Sequence, residues 1–267
     1  MWYLYIYISA VTTLFNKMTL IEIVLIVSCL NCGFGGVIPH ESLKNQNDEP
    51  NLWELSGKFE GDIVLTEGQR NGLVDKQYRW PDAIVPYEIN QTSYTNKSIT
   101  IIENAIATVA NATCIKPRHR LPDDVNYIYI THNEPGCFSN VGKTGGKQIL
   151  NLATTCVVHG IVIHEFVHAL GFYHQQSDST RDDFVTIHLE NVIPEYVGSF
   201  NKYTSDLVTS FGEPYDYNSV MHYSRKAFSA NGNDTIVPLD PNAVIGQRDG
   251  LSASDTIKIQ KMYNCTL

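Results

Sequence analysis

A mixed α+β fold is what the sequence predicts, on two observations. VPYEI at 85–89 and YIYI at 127–130 are short runs rich in β-branched and aromatic residues and read as strands. Residues 98–111 (SITIIENAIATVAN) instead repeat Ile and Ala at helical spacing. A second helix is expected over about 157–170, and a third over about 252–263, where Ser252 and Asp255 form an S-x-x-D capping pattern. With 267 residues, 43% of them hydrophobic and 18% charged, the chain can bury a sizeable core. Its 19 basic residues against 28 acidic ones leave no surplus of Lys and Arg for a phosphate backbone, which argues against a nucleic-acid partner.

Taken in order, the chain begins with two apolar runs, 1–15 and 18–30, separated by Asn16 and Lys17. They read as a signal peptide ending near residue 36, with either Met1 or Met18 as the start. Lys17 and Glu22 argue against a membrane anchor, which wants about 20 apolar residues without a charge. Residues 37–58 are polar and read as part of a propiece. Cys29 and Cys32 fall in the leader, so four cysteines remain: Cys114, Cys137, Cys156 and Cys265. An even number suits disulfides, with three connectivities open, and none of the spacings resembles a zinc knuckle. Sequons at Asn90, Asn96, Asn111, Asn233 and Asn264 add a second sign of the secretory route. The expected localisation is therefore extracellular.

The chemistry is carried by His164-Glu165-Phe166-Val167-His168-Ala169-Leu170-Gly171-Phe172-Tyr173-His174. Positions i and i+4 of a helix project from one side, so His164 and His168 can offer two imidazole nitrogens to one ion. Gly171 can take the left-handed backbone that ends a helix, which lets His174 return as a third ligand. Three neutral nitrogens leave zinc an open position for water, the arrangement of a catalytic site. Zinc lowers the pKa of such a water from about 15.7 to near 7, and Glu165 stands beside it to take the proton and pass it on. At this chain's own residue frequencies the pattern arises by chance on the order of three times in 10⁵. The histidines at 40, 119, 132, 159, 188 and 222 lack such spacing and read as structural or solvated.

In this pattern the chain resembles the metzincins and, within them, the astacin family of zinc metalloendopeptidases. The resemblance rests on HEFVHALGFYH, RDDFVTI (181–187), SVMHY (219–223), TIVPLD, and IGQRDGLSASD up to Cys265, and it covers nearly all of residues 78–265. It implies a two-lobed catalytic domain cleft by the active site, with a twisted sheet, a long active-site helix and a C-terminal helix. It implies zinc on His164, His168 and His174, Glu165 as general base, Met221 beneath the metal, and Tyr223 as a hydrogen-bond donor to the developing oxyanion. The implied disulfides are Cys114–Cys265 and Cys137–Cys156. Phe59-Glu60-Gly61-Asp62 resembles the family's propeptide element, in which the aspartate takes the water's place on zinc and keeps a zymogen silent.

The resemblance thus divides the chain into a signal peptide (1–36), a propeptide (37–70) and a peptidase domain (71–267), with a trypsin-like protease cutting at Arg70-Asn71. Arg248 matches a pocket residue that favours an acidic side chain just after the scissile bond, because its guanidinium fork fits a carboxylate. No cysteine-rich module follows Cys265, so the choice among protein and peptide substrates is expected to reside in the cleft. Gln175 stands where the family usually has a glutamate that meets the new N-terminus, and Thr180 where an acidic residue is common. An amide carries no charge for an ammonium group, so the trimmed N-terminus is expected to matter less here. These two departures favour a rival reading, a catalytically weak or inactive secreted binding protein on the same scaffold. Glu165 argues against it, since a binding module has no use for a general base.

Overall fold

In the computed structural model, which describes residues 56–65, 75–204 and 208–266, the β-branched runs form the middle of a six-stranded sheet. The expected signal peptide, most of the expected propeptide and the Arg70-Asn71 cut site lie outside the described residues. The strands are β1 (Ile63–Val64), β2 (Ile84–Ile89), β3 (Lys116–His119), β4 (Tyr127–Thr131), β5 (Cys137–Asn140) and β6 (Lys147–Leu152), in the order β1-β5-β6-β4-β2-β3. All pairs are parallel except β5 with β6. Alternation sends Val85, Tyr87 and Ile89 of β2 inward, and Ile128 and Ile130 of β4 with them. In register, Ile89 faces Ile130, Ile130 faces Leu150, Leu150 faces Ser139 and Ser139 faces Ile63, so one row crosses the sheet from β2 to β1.

Among the described residues, three α-helices complete this part. α1 (Asn96–Ala112) starts at Thr95, whose hydroxyl accepts from Ser98 N, and buries Ile102, Ala105, Ile106 and Val109 as one stripe. α2 (His159–Leu170) is buried along its whole length after His159, the mark of a central helix rather than a surface one. It begins two residues later than the apolar run suggests because Thr154–Cys156 is a 3₁₀ turn tied to Cys137, and Val158 is extended. α2 ends at Gly171, whose φ of 123° suits glycine. At its other end Gly160 is needed for close packing, since a Cβ there would sit 1.7 Å from the carbonyl oxygen of Arg248. α3 (Ala253–Met262) carries a full capping box from Ser252 and Asp255, and the Cys114–Cys265 bond ties the chain just past its end to the end of α1.

A second, smaller core lies around the antiparallel pair β7 (Val185–Ile187) and β8 (Ile236–Pro238), with Val192, Phe200, Tyr223, Ala227, Phe228 and Ile245. Met221 belongs to the first core and Tyr223 to the second, so the turn at 219–223 joins the two lobes. Among the described residues no helix is long and apolar enough to cross a membrane.

Candidate metal centre

The three histidines of the motif are held by their outward nitrogens. His164 Nδ1 donates to Val220 O at 2.7 Å, His168 Nδ1 to Phe172 O at 2.6 Å, and His174 Nδ1 to the Glu60 carboxylate at 2.8 Å. A carbonyl or carboxylate oxygen can only accept, so the proton of each ring sits on Nδ1 and each Nε2 presents a lone pair. Those three lone pairs converge: the Nε2 atoms are 3.1, 3.2 and 3.3 Å apart. Three acceptors cannot hydrogen-bond to one another, and a cation between them resolves the conflict.

Asp62 closes the fourth side. Its Oδ2 lies 3.1 Å from His164 Nε2 and 3.2 Å from His174 Nε2, and its Oδ1 is 3.5 Å from His168 Nε2. The three Nε2 atoms form a triangle of 3.1 to 3.3 Å edges with the Asp62 carboxylate over it, which leaves room for an ion about 2 Å from each ring nitrogen, the length of a zinc–nitrogen bond. The donor set of three imidazoles and one carboxylate therefore fits zinc. Burial drives the His164 pKa down to about 3, with the nearby Arg248 charge adding to it, and lowers His168 as well. Burial opposes a charge on His174 too, but Asp62 and Glu60 draw its pKa up to about 9, a demand for positive charge that a divalent ion meets. Burial works to raise the pKa of Asp62, but the facing imidazoles, His174 foremost, outweigh it and hold it well below the usual carboxylate range.

Asp62 is delivered by a tight reversal. Glu60 and Gly61 both have positive φ (47° and 88°), Gly61 N donates to Lys58 O, and Ser56 Oγ donates to Gly61 O. The chain then runs into β1 beside β5, where Ser139 N donates to Asp62 O at 2.9 Å and Asn140 Nδ2 to Val64 O at 2.9 Å.

Glu165 is fully buried beside His164, and among the described residues no donor reaches either carboxylate oxygen. Burial, then the Asp62 charge, raises its pKa well above the usual value, and Arg248 acts in the opposite direction. The Tyr223 hydroxyl donates to Glu60 O at 2.5 Å and its ring lies 4.5 Å from that of His174. Arg248 is nearly buried, and its Nη1 donates to His222 O at 3.0 Å and Gln247 O at 2.8 Å. Met221 is buried in the turn that presents Val220 O to His164. That turn hangs on Asp255, which accepts from Ser219 Oγ at 2.6 Å and Val220 N at 2.9 Å while capping α3.

Around the site, Gln175 Oε1 accepts from Lys258 Nζ at 2.7 Å, both side chains buried, so the amide already holds an ammonium group of the chain itself. Thr180 bonds through N and Oγ1 to Asp178 Oδ1. Cys114 is bonded to Cys265, and Cys137 to Cys156. Asn96, Asn111, Asn233 and Asn264 are exposed, whereas Asn90 is half-buried and accepts from Thr92. His222 is buried between Tyr223 O and the Tyr215 hydroxyl, and burial lowers its pKa to about 4.

Sequence reasoning missed Glu60, Tyr203 and the second role of Asp255. An acidic residue two positions before Asp62 was the one signal for Glu60; Tyr203 had none.

The family model described as Astacin, a peptidase family, matches residues 72–264, a range that excludes Glu60 and Asp62. Zinc metalloproteinase nas-15 of Caenorhabditis elegans is 42% identical over 195 residues, which are 73% of this chain and 34% of that protein. Embryonic protein UVS.2 of Xenopus laevis is 45% identical over 216 residues, 78% of this chain and 40% of that protein. This chain thus spans between a third and two fifths of the length of these curated relatives. Among solved structures, high choriolytic enzyme 1, a hatching enzyme zinc-protease of Oryzias latipes, superposes with a TM-score of 0.67 at 38% identity, covering 72% of this chain and 97% of the other. A family match across residues 72–264, and a solved relative aligned almost end to end, establish that the chain belongs to the astacin family of peptidases.

Proposed function

We propose that this protein is a zinc-dependent endopeptidase of protein or peptide substrates, secreted as a latent precursor. The observation that carries the reading is the buried donor cluster of His164, His168 and His174, closed by Asp62 from the upstream segment. The names of its relatives, zinc metalloproteinase and hatching enzyme zinc-protease, support it. In this reading residues 1–36 are a signal peptide, 37–70 a propeptide and 71–267 the peptidase domain. A trypsin-like protease cuts near Arg70-Asn71, and the exposed sequons carry glycans.

Zinc, when bound, supplies a Lewis acid and a water made acidic enough to ionise near pH 7. The rest of the chemistry belongs to the chain's own residues. Glu165, buried beside His164, would take a proton from the attacking water and hand it to the leaving amine. The Tyr223 hydroxyl already donates to a peptide carbonyl, that of Glu60, which is the kind of oxygen it steadies in a substrate. Asp62, which lies against all three histidines, would keep water from the metal until its segment leaves. Arg248 offers its guanidinium to an acidic residue after the scissile bond.

Casein or gelatin zymography of the uncut and trypsin-cut chain, with and without a chelator, tests this reading. Clearing by the cut chain alone, abolished by the chelator, is expected. A cut, zinc-loaded chain that clears nothing would favour the binding-protein reading.

A further inference from the structure

The three candidate ligands are not held alike. His164 and His168 donate to backbone carbonyls within residues 75–266, those of Val220 and Phe172. His174 lies past Gly171, on extended backbone, and its Nδ1 donates instead to Glu60 of the upstream segment. Glu60 is itself built in: it is 2% exposed and accepts from the Tyr203 hydroxyl and, at 3.4 Å, from Ser177 Oγ. A carboxylate on the far nitrogen of a ligating histidine fixes its tautomer and orientation and raises its basicity, and losing such a partner typically weakens metal binding about 10–100-fold.

We propose that Glu60 is a positioning residue for His174, so that the uncut chain holds its metal in a site braced by two carboxylates, Asp62 on the ion and Glu60 behind the third histidine. This rests on the zinc and propeptide reading above. Removing the segment 56–65 takes both carboxylates away, and the uncut chain therefore binds zinc more tightly than the cut one. Glu60 adds no ligand of its own; it acts through His174.

The test is zinc affinity, read by competition with a chelator of known strength, on the full uncut chain and five variants of it: Glu60→Gln, Tyr203→Phe, Asp62→Ala, the double Asp62→Ala/Glu60→Gln and, as a control, His164→Ala. Glu60→Gln keeps the shape and one acceptor but loses the charge, and should weaken zinc about 10–100-fold. Tyr203→Phe, which removes one donor to Glu60, should shift affinity in the same direction by a smaller factor. The double variant should bind more weakly than Asp62→Ala by a similar factor to that seen in the wild-type background. The d–d spectrum of the cobalt-substituted chain should change in Glu60→Gln. Zinc affinity within two-fold of wild type for both Glu60→Gln and Tyr203→Phe would overturn the proposal. His164→Ala separates the two levels: if it too keeps wild-type zinc affinity, the zinc reading fails, whereas its loss of zinc beside an unchanged Glu60→Gln removes only the role of Glu60.

Discussion

Replacing Asp255 with alanine tests how the metal centre is wired to the C-terminal helix. The carboxylate accepts from Ser219 Oγ at 2.6 Å, Val220 N at 2.9 Å and Ser252 N at 3.0 Å. Ser219 and Val220 are 1% and 0% exposed, so neither donor can turn to water when the acceptor goes. Each buried donor left without a partner costs about 1–3 kcal/mol, and the lost half of the capping box, from Ser252 N to this carboxylate, about 0.5–1.5 kcal/mol more. Burial raises the pKa of the Asp255 carboxyl, so part of the loss is returned because a buried acid no longer has to ionise. The net expectation is about 2–4 kcal/mol, or roughly 4–16 °C in Tm for a domain of this size. Urea unfolding of chelator-treated protein measures it without a metal contribution. Because Val220 O orients His164, zinc affinity should fall in the same variant. A loss below about 0.5 kcal/mol, the size of a surface change, or an unchanged zinc affinity, would refute the argument that this carboxylate supports the ligand turn.

Other perturbations separate the remaining roles. Glu165→Ala should abolish turnover of the cut enzyme while metal content, read by elemental analysis, stays at one zinc, because the three nitrogen ligands are untouched; more than a few per cent residual activity would contradict its role as base. Asp62→Ala should raise the peptidase activity of the uncut chain, and an equally silent variant would mean that the segment blocks the cleft by bulk alone. Arg248→Lys keeps the charge near Glu165 but loses the fork, so peptide-library profiling should show the preference for Asp or Glu after the cleaved bond reduced about ten-fold. Wild-type enzyme with no such preference would remove Arg248 from the pocket.

How far the sequence revealed the molecule depended on whether each signal was local. The ligand pattern was legible because i, i+4 on a helix and a glycine stop are short-range geometry, and α2 with its Gly171 end places His164, His168 and His174 together. The three helices and the strands β2 and β4 were legible from periodicity and β-branched content. β3 (KPRH) and β5 (CFSN) were not, since Phe138 alone among their residues favours a strand, and they pair because β2, and β1 with β6, lie alongside. The same limit hid Glu60: its partners His174, Ser177 and Tyr203 lie more than 100 positions away, and nothing near it in the chain marks them. Gln175 was legible as a departure, but its pairing with Lys258 depends on how α3 packs.

The most direct measurement is X-ray absorption at the zinc edge, made on the uncut chain and again after cutting near Arg70. The uncut chain should show one zinc with three imidazole nitrogens and one carboxylate oxygen, at about 2.0 to 2.2 Å. The cut chain should show the carboxylate replaced by a water oxygen. Water on the zinc of the uncut chain, or no zinc bound at His164, His168 and His174, would contradict a latent zinc peptidase silenced by Asp62.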